Sequence, residues 1–550
     1  MPSPSSLVNQ FETACRETPQ SQSQQLLERI VARNVECAFG QSHSFASIAS
    51  VDDYRQAVPI ADYEAFRPFV ERMLNGEERV LVHAPVSRFF ITSGSATAPK
   101  YIPATASFLR EKWRAFSIYW QSTFLRHPDA RAGEVITSFA DSGSVETSPG
   151  GTPCSSETTF WASRASHISP GSAATIPRGV SGIADYETRY LVLARVLLEA
   201  DVSLLMALNP STIAVLFDRM NRYSDEILAG IQDGGLSDPS SVDPELSALL
   251  DQRHPGNPDR AEELRTFRDA DGGQLLASRC WPRLRVVATW RSPMLQPYLE
   301  RLEPHLQGVH QVDYVSTASE GVLAIPLGDG TSGGVLAIDT HFYEFIPEEQ
   351  WERDQPDTLL AHELEVGEKY AVLLSTSAGL YRYNIGDVVR VLEFHGQAPV
   401  IEFLHRMGAT SSLTGEKLTE DQVSASVVAA AAEECEVQIV SFTAFPAEQP
   451  FPHYVLLIEF ASTLRSETVR TFARRFDREL SERNVEYGSK RSSLRLAHPE
   501  VWLARAGEFE AWRRRRVAAG ANDDQVKVRH LTREAELAAG FEIVERVHAD

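Results

Sequence analysis

Apolar residues recur at helical spacing over residues 21–39 and 51–75 (Leu26, Leu27, Ile30, Val31; Tyr63, Phe66, Phe69, Val70, Leu74), which predicts a helical opening. From Val86 to Pro103 the pattern changes to a short apolar run, Phe89-Phe90-Ile91, then a Ser/Gly/Thr loop, then Lys100-Tyr-Ile-Pro103 and a helical segment from Ser107 to Trp120. The implied order is strand, loop of phosphate-binding size, helix. Residues 138–182 are rich in Ser, Gly, Pro and Thr and read either as a surface loop or as a segment lining a pocket. Residues 183–230 read as helix, and β-like runs follow at 284–290, 322–327, 335–339, 370–374, 388–392 and 400–404. Past Arg406-Met-Gly408, a helix (420–434), a strand pair (437–443 and 454–460) and a helix (466–483) predict a small α+β unit. The expected fold class is α/β in the mixed α+β sense: a large N-terminal domain, 1–420, with mixed sheets and flanking helices, and a small C-terminal domain, 421–550.

Composition narrows the function classes. With 43% hydrophobic and 23% charged positions in 550 residues, the chain is globular rather than disordered or fibrous. A formal charge of −22 repels phosphate backbones and anionic lipid, which argues against nucleic acid and membrane partners. The apolar stretch Tyr190–Asn209 is interrupted by Arg195, Glu199 and Asp201, so it reads as a core helix and not a membrane span. The N-terminus lacks the regions of a signal peptide, and Cys15, Cys37, Cys154, Cys280 and Cys435 stand far apart with no metal-type spacing; both point to the reducing cytoplasm. Only six of the 53 basic residues are lysines (Lys100, Lys112, Lys369, Lys417, Lys490, Lys527), as a GC-rich bacterial coding bias would produce. Where lysine persists, a compact, flexible point charge is a natural reason.

Two motif matches fail on context. Gly328-Asp-Gly330-Thr-Ser-Gly333 fits G-x-G-x-x-G, and Gly330 to Gly334 fits G-x-S-x-G, but each pattern needs a helix after the glycines. Val335-Leu-Ala-Ile follows instead, so the stretch reads as a hairpin turn. The segment Thr92-Ser93-Gly94-Ser95-Ala-Thr97-Ala-Pro-Lys100 carries hydroxyls, a glycine and a terminal lysine, the parts needed to hold nucleotide phosphates. Tyr314-Val-Ser-Thr-Ala-Ser319-Glu320-Gly321 places a carboxylate beside a strand where it could hold Mg²⁺ or serve as a buried structural group. Tyr381-Arg-Tyr-Asn-Ile-Gly-Asp387 sets a carboxylate just past a glycine, suited to ribose hydroxyls or to a turn, and Gly415-Glu-Lys417 puts a rare lysine in a short polar turn.

Taken in order, these motifs resemble the plant acyl acid-amido synthetases, the auxin- and jasmonate-conjugating Gretchen Hagen family, and their bacterial relatives in the adenylate-forming superfamily. The likeness extends through Val58-Pro-Ile-Ala-Asp-Tyr63, Cys280-Trp-Pro-Arg-Leu284, Phe403-Leu-His-Arg406 and Gln525-Val-Lys527. The resemblance implies an adenylate-forming large domain and a small mobile C-terminal domain that moves about Arg406–Gly408. It implies ATP and Mg²⁺ as cofactors: Thr92, Ser93, Gly94, Ser95, Thr97 and Lys100 on the phosphates, Glu320 on the metal, and Tyr314, Ser319, Tyr381, Asp387 and Arg406 about the nucleotide. Glu320, Lys417 and Lys527 would be catalytic.

The expected activity is a two-step ligase reaction that forms acyl-AMP and then an amide with an amino acid or small amine. The expected partners are small molecules, and the chain is expected to be a monomer or weak oligomer. Two alternatives stay open. One is an acyl-CoA ligase using the same adenylate. The other is a catalytically lapsed nucleotide-binding or scaffold relative, because Ala96-Thr97 replaces the superfamily's Thr-Gly and Ala318 stands where a hydroxyl is common.

Overall fold

The computed structural model describes residues 4–92, 99–137, 145–162, 176–177, 179–183, 185–235, 242–351, 353, 355–407, 410–411, 413–414, 416, 418–432, 437–447, 449, 452–492, 496–518, 526–532 and 535–548. The chain forms two compact units, residues 1–291 with 304–403, and residues 292–303 with 404–550. By contacts, the described residues from 404 to 419 group with the second unit, where Leu418 pairs with Ser411 and packs with Val423 and Val427.

Among the described residues the first unit contains three sheets. In the first, β1 (Val86–Thr92) and β2 (Lys100–Thr105) form an antiparallel pair extended by β5 (Pro153–Ser155) and β4 (Glu146–Thr147). A parallel sheet has the order β3 (Glu134–Ile136), β6 (Val202–Met206), β7 (Val286–Ala288), β8 (His310–Val312). The largest sheet runs β12 (Phe342–Pro347), β13 (Lys369–Ser375), β14 (Tyr383–His395), β15 (Ala398–Arg406), β11 (Gly334–Leu336), β10 (Gly321–Ile325), β9 (Ser316–Ala318). Helix α1 (Tyr63–Leu74) and helix α2 (Ala106–Arg126) flank these sheets, and Phe66, Phe90, Phe108, Tyr119, Val322 and Tyr383 belong to one continuous core.

Two sequence expectations are corrected. A strand intervenes between the hydroxyl-rich loop and the expected helix: Lys100-Tyr-Ile-Pro-Ala-Thr is β2, paired with β1 so that Thr92 faces Lys100. The helix expected from Ser107 is α2, which begins at Ala106, capped by the Thr105 hydroxyl on the Phe108 N–H. The stretch Tyr190–Asn209 is not one helix. Helix α3 (Tyr186–Glu199) stops at Ala200, and Val202-Ser-Leu-Leu-Met206 is β6, in the interior of the parallel sheet and buried at every position. A strand covered on both faces has no polar alternation to betray it. The glycine-rich decoy is the β10–β11 hairpin, Ala324 opposite Leu336, as its pattern predicted.

In the second unit, β16 (Ile439–Ala447), β17 (His453–Phe460), β18 (Glu500–Ala504) and β19 (Ile543–His548) form a sheet. Helices α4 (Glu420–Ala432) and α5 (Ser466–Arg483) contribute Val423, Val427, Phe472 and Phe476 to its core. Among the described residues no helix is long and apolar enough to cross a membrane.

Candidate active site

Lys100 stands at the start of β2, where the loop returns from β1. Its Nζ donates to the Tyr383 hydroxyl at 3.3 Å, and that hydroxyl donates to Glu320 Oε1 at 3.4 Å. One phenol therefore links the lysine that closes the loop to the carboxylate of the second motif. The Lys100 ammonium also lies over the Tyr63 ring, 5.4 Å from its centroid, a placement that favours a cation on the ring's negative face. Tyr63 opens α1, capped by Asp62, and its hydroxyl accepts from the Tyr101 N–H at 2.7 Å and donates to the Tyr101 carbonyl at 3.1 Å. Helix α1 thereby fixes the strand that carries Lys100.

Ser319 and Glu320 form the two-residue turn between β9 and β10, with Ala318 opposite Gly321. Glu320 is buried, and among the described residues its hydrogen-bond partner is the Tyr383 hydroxyl. Gly321 is closely approached: a Cβ there would lie 3.0 Å from the His341 ring, tighter than ordinary contact. Ala318 contributes its carbonyl, which accepts from the fully buried ammonium of Lys112 at 2.6 Å. That ammonium also pairs with Glu157 at 2.7 Å.

The Tyr-Arg-Tyr triplet divides its side chains three ways. Tyr381 is not placed to contact a nucleotide as expected: it is fully buried, donates to the Leu81 carbonyl at 2.5 Å and stacks on Phe39 at 4.7 Å. Arg382 sits at φ 45°, in the left-handed region, and forms a buried fork with Glu344 at 2.9 and 3.0 Å. This break in extended backbone lets Tyr383 turn toward Glu320. Further along β14, Leu373 pairs with Asn384 but Ala371 pairs with Val388, so residues 385–387 bulge, with Gly386 at φ 78°. The bulge carries Asp387, buried at 6% exposure and four positions from Tyr383, within about 14 Å of extended chain. Tyr63 and Tyr383 were missed from the sequence. The available signal was their place inside quoted motifs, Ala61-Asp-Tyr63 and Tyr381-Arg-Tyr383, where the flanking residue drew attention instead.

Ser93, Gly94, Ser95, Thr97 and Lys417 lie outside the described residues, and so does Ala96. Thr92, half-buried at the end of β1, and Lys100 bracket the loop. Tyr314 is buried beside Phe116, Tyr119 and Trp120 at 5.2–6.2 Å. In the second unit, Arg406 is exposed at the end of β15. Glu416, beside Lys417, is buried. Burial works against its charge, but the Leu413 N–H, the Tyr454 hydroxyl and the Thr414 N–H hold its carboxyl below the usual range. Lys527 is exposed, three residues before a pinned segment: His530 stacks on Phe442 at 4.1 Å, and Ala444 bonds both His530 and Thr532 through its backbone.

Comparison with known proteins identifies the family. Residues 7–311 match the GH3 family N-terminal domain, 334–406 its central domain and 422–536 its C-terminal domain. The chain belongs to the GH3 family. It is 24% identical to the probable indole-3-acetic acid-amido synthetase GH3.1 of Arabidopsis thaliana, across 92% of this chain and 87% of that protein. It is 22% identical to the jasmonoyl–L-amino acid synthetase GH3.5 of Oryza sativa subsp. japonica, across 92% and 90%. The solved structure of the AtGH3.15 acyl acid amido synthetase in complex with 2,4-DB has the same fold, with a TM-score of 0.85 at 20% identity over 100% of this chain and 97% of that one.

Beside the Ser319–Glu320 turn, the GH3 chain gathers an aromatic group. Trp161 lies 5.7 Å from Phe116 and 5.9 Å from Trp113, and its indole N–H donates to Glu157 at 2.9 Å. Rings with a buried Lys112–Glu157 pair at their base could line a site for a flat acid. Glu320 fits a hard cation: it is a buried oxygen donor whose one hydrogen bond among the described residues is long and leaves lone pairs available.

Proposed function

We propose that this GH3 protein is an ATP-dependent acyl acid amido synthetase. It activates a carboxylic acid as acyl-AMP, releasing pyrophosphate, and passes the acyl group to the amine of an amino acid or other small amine. The observation that carries this reading is the hydrogen-bonded chain Lys100–Tyr383–Glu320, which places an ammonium and a metal-suited carboxylate on one phenol at the end of the hydroxyl-rich loop. The names of its relatives, amido synthetases for indole-3-acetic acid and jasmonoyl conjugates, support the amide branch.

In this reading the Thr92–Lys100 loop and the Lys100 ammonium receive the triphosphate, and Asp387 accepts the ribose hydroxyls. A carboxylate and a triphosphate repel each other, so cationic groups must neutralise charge as the α-phosphorus is attacked. Lys100 does this from the first unit; Lys417 and Lys527 are the proposed ammonium groups of the second. Bound at Glu320, Mg²⁺ would supply Lewis-acid charge neutralisation. The amine then attacks the mixed anhydride and AMP leaves. The aromatic group about Phe116, Trp120, Trp161 and Tyr314 suits an aromatic or similarly flat acid. A bacterial member working as a monomer or weak oligomer in the cytoplasm fits the arginine-rich, acidic composition.

The test is incubation with ATP, Mg²⁺ and an acid panel, with either an amino-acid mixture or coenzyme A, read by product mass. An amide product is expected. A thioester would turn the assignment to an acyl-CoA ligase, and absence of ATP binding in calorimetry would turn it to a lapsed relative.

A further inference from the structure

The glycine-rich turn of the β10–β11 hairpin carries chemistry of its own. Asp329 lies in it, between β10 and β11. His127 Nε2 meets Asp329 Oδ2 at 2.7 Å, and His310 Nδ1 lies 3.8 Å from the same oxygen. The two imidazole rings pack with centroids 4.2 Å apart, and one ligand atom from each of the three residues falls within 4.8 Å of the others.

Each residue is delivered by a separate element. His127 caps the C-terminal end of α2, its N–H bonded to the Thr123 carbonyl at 2.8 Å. His310 opens β8, the edge strand of the parallel sheet. The turn is held against β8 by the Gly330 N–H, which donates to the Gln311 carbonyl at 3.2 Å, and Gly330 adopts φ 70°. Three residues distant in sequence are thus converged by backbone that is already fixed.

We propose that His127, His310 and Asp329 form a binding site for a divalent transition-metal ion, zinc foremost, with a fourth position open to water. Two neutral imidazoles and one carboxylate are a donor set that suits zinc, with bonds of about 2.0–2.2 Å. In tetrahedral geometry such bonds separate ligand atoms by about 3.3 Å, and the observed 2.7 and 3.8 Å bracket that value. The other carboxylate oxygen, Oδ1, accepts from Arg126 Nε at 3.0 Å. This leaves Oδ2 for the ion and orients the carboxylate, the usual task of a ligand's hydrogen-bond partner. Helix α2 has 21 residues, so its two ends are about 30 Å apart. His127 is at the far end from β2 and Lys100, so the ion would lie away from Lys100 and would join α2, the parallel sheet and the hairpin of the largest sheet.

The test uses the full-length protein freed of metal by chelator dialysis. Zinc is titrated in competition with a chromophoric chelator, cobalt(II) is read by its tetrahedral visible bands, and thermal unfolding is followed with and without zinc. His310→Ala removes an exposed ligand with little risk to folding, and Asp329→Asn removes the charge while keeping the shape. The expected result is one zinc per wild-type chain and a melting temperature raised by zinc, with affinity at least about tenfold weaker in each variant. Absence of stoichiometric zinc binding to the wild type overturns the proposal. So does zinc affinity in both variants equal to that of the wild type.

Discussion

Tyr383→Phe removes one oxygen from the centre of the site and leaves the ring. The ring's edge contact with Phe66, centroids 5.9 Å apart, survives, so packing is kept and the loss of stability should come from the two hydrogen bonds alone, about 1.5 kcal/mol. The lost oxygen accepts from Lys100 at 3.3 Å and donates to Glu320 at 3.4 Å. Hydrogen bonds to charged groups contribute about 1.5–3 kcal/mol each at good geometry, near 2.7–2.9 Å. These two are long, so together they are assigned about 1.5 kcal/mol, or roughly tenfold in rate. Acid-dependent exchange of labelled pyrophosphate into ATP should therefore fall about tenfold, mainly in kcat, because the phenol orients two groups and does not itself bind the nucleotide. A variant that exchanges within about twofold of wild type, while Lys100→Ala abolishes exchange, would refute the positioning role.

Three other substitutions probe separate links. Arg382→Ala leaves the buried Glu344 with Arg55 and Thr358 only, and should cost about 3 kcal/mol in urea unfolding; a change below about 1 kcal/mol would contradict a stabilising fork. Burial pushes the Glu111 carboxyl from 4.5 up to about 7, against the Ser377 hydroxyl bond, so the folded state holds this proton more tightly than the unfolded chain. Stability from this group is present below about pH 4.5 and lost as pH rises through 7, by about 3 kcal/mol; Glu111→Gln should remove that loss, and a wild-type-to-variant difference in urea midpoint that is the same at pH 4.5 and 8 would contradict it. Lys527→Ala should slow acyl-AMP formation strongly with an unchanged melting temperature, and undiminished formation in single turnover removes Lys527 from the mechanism.

Helix α5 was read at its observed limits, Ser466–Arg483, because Val469, Phe472, Phe476 and Leu480 repeat at helical spacing against a charged face. Fully covered strands were legible too where the apolar run stood apart from a helix, as at 322–327 and 454–460. Strand β6 was lost because its apolar run continues that of helix α3 across Ala200 and Asp201 alone, and β2 because Lys100-Tyr-Ile-Pro runs into α2 with no turn residue between them. Motif order singled out Lys100, Glu320 and Asp387, yet it did not tell Tyr381 from Tyr383. Their difference is set by the positive φ of Arg382, a residue type that gives no local warning of left-handed backbone. The Lys112–Ala318 contact was equally hidden, since it joins residues 206 positions apart.

Acid-dependent pyrophosphate exchange into ATP tests the central claim most directly, run with Mg²⁺ across a panel of aromatic, fatty and amino acids. The account predicts exchange with at least one flat acid, abolished in Lys100→Ala and in Glu320→Gln while both variants keep the wild-type melting temperature. Exchange that persists undiminished in both folded variants, or a wild-type protein that exchanges with none of the acids, would contradict it.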